Sequence, residues 1–382
     1  MTYPRGFLAA GASAGLKSNG NLDVALVVNQ GPNYSASAVF TSNRCKANPI
    51  LWSTEAIKDK QAKAIVLNSG GANCYTGPYG FQTTHQTAEL VASLLECSAQ
   101  DVLVCSTGII GEHLDRDKLF AGITMANAAL SDTGGEKAAL AIMTTDSVPK
   151  LAQVESTSGW RIGGIAKGAG MLAPALATML VVITTDAVIG AEDLASALRR
   201  AVRKSFDRLD SDGATSTNDQ VSILASGASG VQADKEEFES LLEHLCLDLA
   251  KQLMTDAEGA SHNIYIEVNT SASEDDAVLV GRAIARNNLF KTAIYGNDPN
   301  WGRILAAVGT TAAKFDPYNI DVSINGVLVS AGGAPAQDRS LVDLSARDVK
   351  ISIELNSGNF SATVMTNDLT VAYVQENSAY SS

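Results

Sequence analysis

The sequence predicts a mixed α/β enzyme fold, on three observations. Short, predominantly apolar runs, Ala64-Ile65-Val66-Leu67, Asp101-Val102-Leu103-Val104-Cys105 and Met179-Leu180-Val181-Val182-Ile183, have the length and chemistry of buried strands. Stretches with apolar residues at helical spacing lie around them: Leu194, Ala197, Leu198, Ala201 and Val202 mark one face of a helix from Glu192 to Lys204. A composition of 46% hydrophobic and 18% charged residues with 32 glycines is that of a globular domain, and 382 residues suffice for one large or two ordinary domains with ample core.

In chain order, Leu22 to Asn29 and Ser35 to Asn43 run apolar or alternate between Asn/Gly clusters and read as antiparallel strands. A helix over Pro49 to Lys60 leads to the strand at Ala64, which ends in Asn68-Ser69-Gly70-Gly71. A helix over Thr83 to Leu95 precedes the strand at Asp101, closed by Ser106-Thr107-Gly108. A glycine just past a core strand lets backbone N–H groups turn toward a ligand, as an oxyanion hole requires, and serves equally well in a plain turn. Helices over Asp115 to Leu130 and Gly135 to Met143 run into Thr144-Thr145-Asp146, whose hydroxyls compete for local backbone groups.

Farther on, Gly163, Gly164, Gly168 and Gly170 predict a tight, exposed backbone around Lys167. The uncharged stretch from Gly168 to Thr185 contains Pro174 and many alanines, so it reads as loop plus buried strand and not as a membrane span. Asp210, Asp212 and Asp219 lack the spacing of a calcium loop and are expected to be solvated or to cap backbone. A long helix from Lys235 to Met254 runs out near Glu258. A carboxylate there opposes the helix dipole and contributes little to stability, which makes Glu258 a ligand candidate. Strands at Asn263 to Val268, Ile320 to Val329, Val349 to Leu355 and Phe360 to Met365, with a helix from Glu274 and another after Gly296, complete the chain.

Charge and rare residues narrow the function. A net charge of −13 and a pI near 4.8 repel phosphate backbones and anionic lipid, so neither nucleic acid nor membrane is an expected partner, while Lys167 can reverse the field inside a pocket. Cys45, Cys74, Cys97, Cys105 and Cys246 are scattered without CxxC spacing and suggest reduced thiols in a cytoplasmic protein. The four histidines show no ligand spacing, so no metal is expected. Phe7-Leu8-Ala9-Ala10 is too short an apolar core for a secretory signal.

The chemically suggestive stretch is Lys167 to Leu180, which places Thr178 at the mouth of an apolar strand. A threonine hydroxyl needs a base beside it, and an N-terminal threonine carries one: its α-amine, with an ordinary pKa of ~7.7–8.0, is partly unprotonated at neutral pH. That amine exists only once the Ala177–Thr178 bond is broken, and Ala177 is small enough to let the hydroxyl fold back on its carbonyl. A threonine opening a strand is also a common structural feature, and spacing alone does not choose between the two.

Lys167-Gly168-Ala169-Gly170-Met171-Leu172-Ala173-Pro174-Ala175-Leu176-Ala177-Thr178-Met179-Leu180 resembles the signature of the ornithine acetyltransferase family, the bifunctional glutamate N-acetyltransferases of arginine biosynthesis. Segments beginning at Asn68, Cys105, Ile142, Asp210, Ala257, Lys291 and Glu376 resemble the same family in the same order. The resemblance implies an αββα sandwich similar to N-terminal-nucleophile hydrolases but differently connected, over about residues 1–280. A smaller α/β domain over about 281–382 would follow, with its tail returning to the active site. It implies autoproteolysis between Ala177 and Thr178 into fragments 1–177 and 178–382, assembled as α₂β₂. It assigns Thr178 as nucleophile, Thr107 and Gly108 to the oxyanion hole, and Thr145, Lys167, Thr178, Glu258, Asn377 and Ser382 to substrate.

The expected reaction is ping-pong acetyl transfer from N²-acetylornithine to glutamate, without a cofactor and with acetyl-CoA left open as a second donor. By charge, Lys167 suits a substrate carboxylate and Glu258 a substrate ammonium. Ser261-His262 departs from the Thr-Lys of many relatives, which leaves their roles open. The alternatives are an aminopeptidase or amidohydrolase of the same fold, with water as acceptor, and a binding protein that keeps the fold.

Overall fold

The computed structural model describes residues 1–172 and 179–379. Its first stretch runs β1 (Phe7–Ala12), β2 (Val24–Asn29), β3 (Ser35–Phe40), α1 (Asn48–Ala56), β4 (Ala64–Ser69), α2 (Gly77–Leu95), β5 (Val102–Thr107), α3 (Arg116–Ala128) and α4 (Gly135–Ile142). There follow β6 (Lys150–Glu155), β7 (Arg161–Lys167), β8 (Leu180–Thr185), α5 (Ala191–Lys204), β9 (Gln220–Ala225) and α6 (Lys235–Thr255). The last stretch is β10 (Asn263–Ser271), α7 (Glu274–Ala285), α8 (Asn288–Tyr295), α9 (Trp301–Val308), β11 (Asp321–Ile324), β12 (Val327–Ala331), β13 (Ala334–Pro335), β14 (Asp348–Glu354), β15 (Phe360–Asn367) and α10 (Val371–Ala379).

These strands form three sheets. One has the order β1-β2-β4-β5, one the order β3-β9-β8-β7-β6, and one the order β13-β12-β11-β14-β10-β15. The first two lie face to face: Ala25, Val27, Ile65, Leu67 and Leu103 share a core with Ile165, Leu180, Val182 and Leu224, and α4 adds Ala138, Ala139 and Ile142. The outer face of the first sheet is covered by α2 and α3 through Val91 and Ile123. That of the second is covered by α5 and α6, where Leu198 and Leu249 meet Val181 and Ile183. The result is an αββα sandwich. Because β8 is buried on both faces, it reads as an unbroken apolar run, each such side chain contributing about 1.5–3 kcal/mol of burial.

The third sheet packs on α7 and α9 around a separate core that includes Ile264, Ile266, Val280, Ile304 and Ile351. It begins at Asn263, ahead of position 281, because β10 pairs with both β14 and β15. Among the described residues, no helix is long and apolar enough to cross a membrane.

The structure departs from sequence expectation in several places. The glycine-rich stretch before Lys167 is not an exposed loop but the buried strand β7, and Lys167 itself is 1% exposed. Its glycines serve packing: a Cβ at Gly164 would lie 3.0 Å from Leu249 and 3.1 Å from Leu245 of α6. Phe7 to Ala12 is a core strand and not merely a short apolar patch. Residues 320–329 fold back on themselves at Asn325-Gly326, a turn dipeptide that splits one expected strand into β11 and β12. Asp210 and Asp219 are fully buried and not solvated: Asp210 pairs with Arg286 Nε at 2.7 Å, whereas Asp219 caps backbone, the other alternative expected, by accepting the Met179 N–H at 2.8 Å.

Candidate active site

Strand register brings the chemically suggestive residues to one end of the sandwich. In the first sheet β4 and β5 run parallel with Ser69 beside Thr107. In the second, Lys167 at the end of β7 lies opposite Leu180 at the start of β8, which in turn neighbours Gln220 of β9. The Lys167 ammonium then spans the two sheets, donating to Thr107 Oγ1 at 3.3 Å and to Thr144 Oγ1 at 2.7 Å.

A cavity of about 480 Å³ opens at this end. Thr107, Gly108, Thr145, Lys167, Glu258 and Asn377 all line it. Ala177, Thr178 and Ser382 lie outside the described residues. Ser261 and His262 do not line the cavity: Asp368 accepts both of their backbone N–H groups at 3.0 Å.

The oxyanion candidates sit where two loops close on each other. The carbonyl oxygen of Thr107 accepts the N–H groups of Gly70 and Gly71, each at 3.0 Å. Asn218, ahead of β9, locks the same loops by donating from Nδ2 to the carbonyls of Ala72 at 2.6 Å and Ser106 at 2.8 Å. Sequence reading passed over Asn218 because an amide in a polar loop carries no chemical signal of its own.

Asp146 is the hub of the charged wall. Its Oδ1 accepts the Gly168 N–H at 2.6 Å and the Lys150 ammonium, its Oδ2 accepts the Thr144 N–H at 3.0 Å, and Lys167 Nζ lies 3.9 Å away. Burial alone would raise the carboxyl pKa, but the ammonium groups of Lys167 and Lys150 outweigh it and bring the value down to about 2. Burial pushes Lys167 below the usual lysine range, an effect that Asp146 partly offsets. Lys150 also binds Asp256, the residue capping α6, so one network fixes both Lys167 and the turn that carries Glu258.

Glu258 itself is 7% exposed, and its backbone N–H donates to Ala169 O at 3.0 Å, just after Lys167. Its carboxylate lies over Gly170, where a Cβ would sit 2.5 Å from Oε2, so a side chain at position 170 would push the carboxylate from this place. Thr370 Oγ1 in turn donates to Gly259 O at 2.6 Å, seating α10 and hence Asn377 against the same turn. In the Thr144-Thr145-Asp146 segment sequence reading singled out Thr145; the structure adds Thr144, whose hydroxyl binds Lys167, and Asp146, which orients it.

This network has a pH signature. The folded pKa of Asp146 lies below its ordinary 3.8, so the anion's stabilisation is fully present above that value and is lost as pH falls through about 2. Asp146→Asn, which leaves Lys150 and Lys167 poorly compensated, is expected to cost about 2–5 kcal/mol at neutral pH. In urea unfolding at stepped pH, its gap from the unmodified protein should narrow below pH ~4; a gap independent of pH would contradict this assignment.

The chain is similar to known proteins along its whole length. The model of the ArgJ family matches residues 8–382. The arginine biosynthesis bifunctional protein ArgJ of Thermobifida fusca is 58% identical over 381 residues, covering 100% of this chain and 99% of that protein. The protein of the same name from Streptomyces avermitilis is 57% identical over 382 residues, covering 100% of both. Among solved structures, ornithine acetyltransferase complexed with ornithine from Mycobacterium tuberculosis is 51% identical with a TM-score of 0.45, over 45% of this chain and 93% of that one.

Proposed function

The chain belongs to the ArgJ family, and on that basis we propose that it transfers an acetyl group from N²-acetylornithine to glutamate in arginine biosynthesis, through an acetyl ester on Thr178. The observation that carries this reading is the pairing of Lys167 and Glu258, an ammonium and a carboxylate both buried against one cavity. An N²-acetyl amino acid with a cationic side chain presents the complementary charges, a carboxylate for Lys167 and an ammonium for Glu258.

In the proposed sequence the chain first cuts itself between Ala177 and Thr178, freeing the threonine amine. That amine accepts the hydroxyl proton as Oγ attacks the acetyl carbonyl, and donors at Thr107 and Gly108 stabilise the oxyanion. Collapse breaks the acetyl–nitrogen bond, the proton passes from the threonine amine to the leaving nitrogen, and ornithine departs. The unprotonated α-amine of glutamate then attacks the ester, N-acetylglutamate leaves, and the hydroxyl recovers its proton. Thr145, Asn377 and Ser382 complete the substrate contacts in this reading. Acetyl-CoA fits the same intermediate, because any donor able to acylate Thr178 feeds the second half.

The test is product analysis with N²-acetylornithine and glutamate together. Formation of N-acetylglutamate with parallel-line initial-rate plots is expected. Release of free acetate faster than N-acetylglutamate would instead favour a hydrolase with water as acceptor.

A further inference from the structure

Donor and acceptor in this reaction differ at their side-chain ends: ornithine ends in an ammonium, glutamate in a second carboxylate. Glu258 suits the first and repels the second, so a pocket built from Lys167 and Glu258 alone disfavours its own acceptor. The cavity holds a further cation. Lys17 lines it, on the loop between β1 and β2, together with Lys167, Glu112 and Glu258.

That loop is held in place. The fully buried carboxylate of Asp23 accepts the N–H groups of Ala14 at 2.6 Å, Leu16 at 2.7 Å and Lys17 at 3.1 Å. Lys17 Nζ donates to Leu22 O at 2.9 Å, its one hydrogen bond among the described residues, and an ammonium carries three donors. No carboxylate of the described residues lies within ion-pair distance of it, in contrast to Lys167 beside Asp146. Burial lowers the basicity of Lys17; Asp23 and Asp146 favour its charge and Lys167 opposes it. Two ammonium groups facing one cavity repel each other until an anion enters between them, and a dicarboxylate offers one charge to each.

Building on the reaction assigned above, we propose that Lys17 is the specificity-determining cation for the acceptor, pairing with the side-chain carboxylate of glutamate while Lys167 holds the α-carboxylate. Glutamate then binds with both anionic ends neutralised, and ornithine binds through Lys167 and Glu258 without needing Lys17.

The experiment separates the half-reactions in mature Lys17→Met. Acetylation by N²-acetylornithine is followed by intact mass, and acetyl release is followed with glutamate and, in parallel, glutamine. The glutamate KM should rise by about 10- to 100-fold, well beyond any change in acetylation, since a hydrogen bond to a charged group is lost. The preference for glutamate over glutamine should collapse, and Lys17→Arg should restore much of it. Equal losses in both half-reactions, or an unaltered glutamate-to-glutamine preference, would overturn the proposal. If the unmodified protein makes no N-acetylglutamate at all, the reaction assignment fails first and this inference with it.

Discussion

Thr178→Ala should purify as one uncut chain of 39.8 kDa with no transferase activity. The substitution removes a hydroxyl and a methyl group and leaves the apolar strands of the sandwich unchanged, so the fold has no reason to fail. In the proposed mechanism the hydroxyl serves twice: within the intact chain as the nucleophile for the Ala177 carbonyl, turning the peptide into an ester that water can open, and in the cut chain as the group that carries the acetyl. Alanine abolishes both roles, and loss of a nucleophile from a working catalytic unit costs about 10⁴–10⁶ in turnover. Thr178→Ser keeps a hydroxyl and should retain part of the scission. Denaturing mass spectrometry decides: two fragments joining at 177/178 in the alanine variant would refute the assignment, whereas fragments in the serine variant and not in the alanine variant support it.

Much of this molecule is legible in its sequence, and what is not has physical causes. The strands β4, β5 and β8 announce themselves because both faces are covered, so the first four positions of each are apolar. Strand β7 does not, because α6 packs close to Gly164 and the N-terminal residues Met1 to Pro4 pack close to Gly163, so two glycines replace the branched residues a strand normally shows. The burial of Lys167 is not legible in sequence, because no pattern shows that Asp146, distant in the chain, compensates a buried ammonium. The same holds for Asn218, a polar residue in a polar loop whose partners Ala72 and Ser106 are brought to it only by the fold; Lys17 has its hydrogen-bond partners nearby in the chain, but its place beside the cavity is likewise set by the fold. Sequence alone marks the apolar scaffold better than the polar contacts it assembles, because burial leaves a periodic trace and a hydrogen bond between distant loops leaves none.

The second large effect is expected at Gly108. Its φ of +126° lies in a region that residues with a side chain rarely adopt, and an added Cβ would stand 2.6 Å from Gly71 N and 2.9 Å from Gly70 C. Both of those atoms are backbone, and Gly70 and Gly71 are the residues whose N–H groups grip Thr107 O, so neither can yield without loosening that grip. Gly108→Ala must therefore displace the end of β5 from the neighbouring loop and, in the proposed mechanism, move the donors at 107 and 108 off the position where the oxyanion would develop. Loss of one such donor typically lowers turnover by about 10²–10³. The strained backbone adds a stability cost of about 1–3 kcal/mol, so the decisive readout is the single-turnover acetylation rate of mature, folded material, well below the melting temperature of the variant. A rate equal to that of the unmodified enzyme, with only the melting temperature lowered, would show that residue 108 shapes the loop and does not serve the chemistry. A rate reduced a hundredfold or more while N²-acetylornithine still binds would place it at the transition state, because a donor that acts on developing charge affects the acylation step and leaves ground-state affinity largely unchanged.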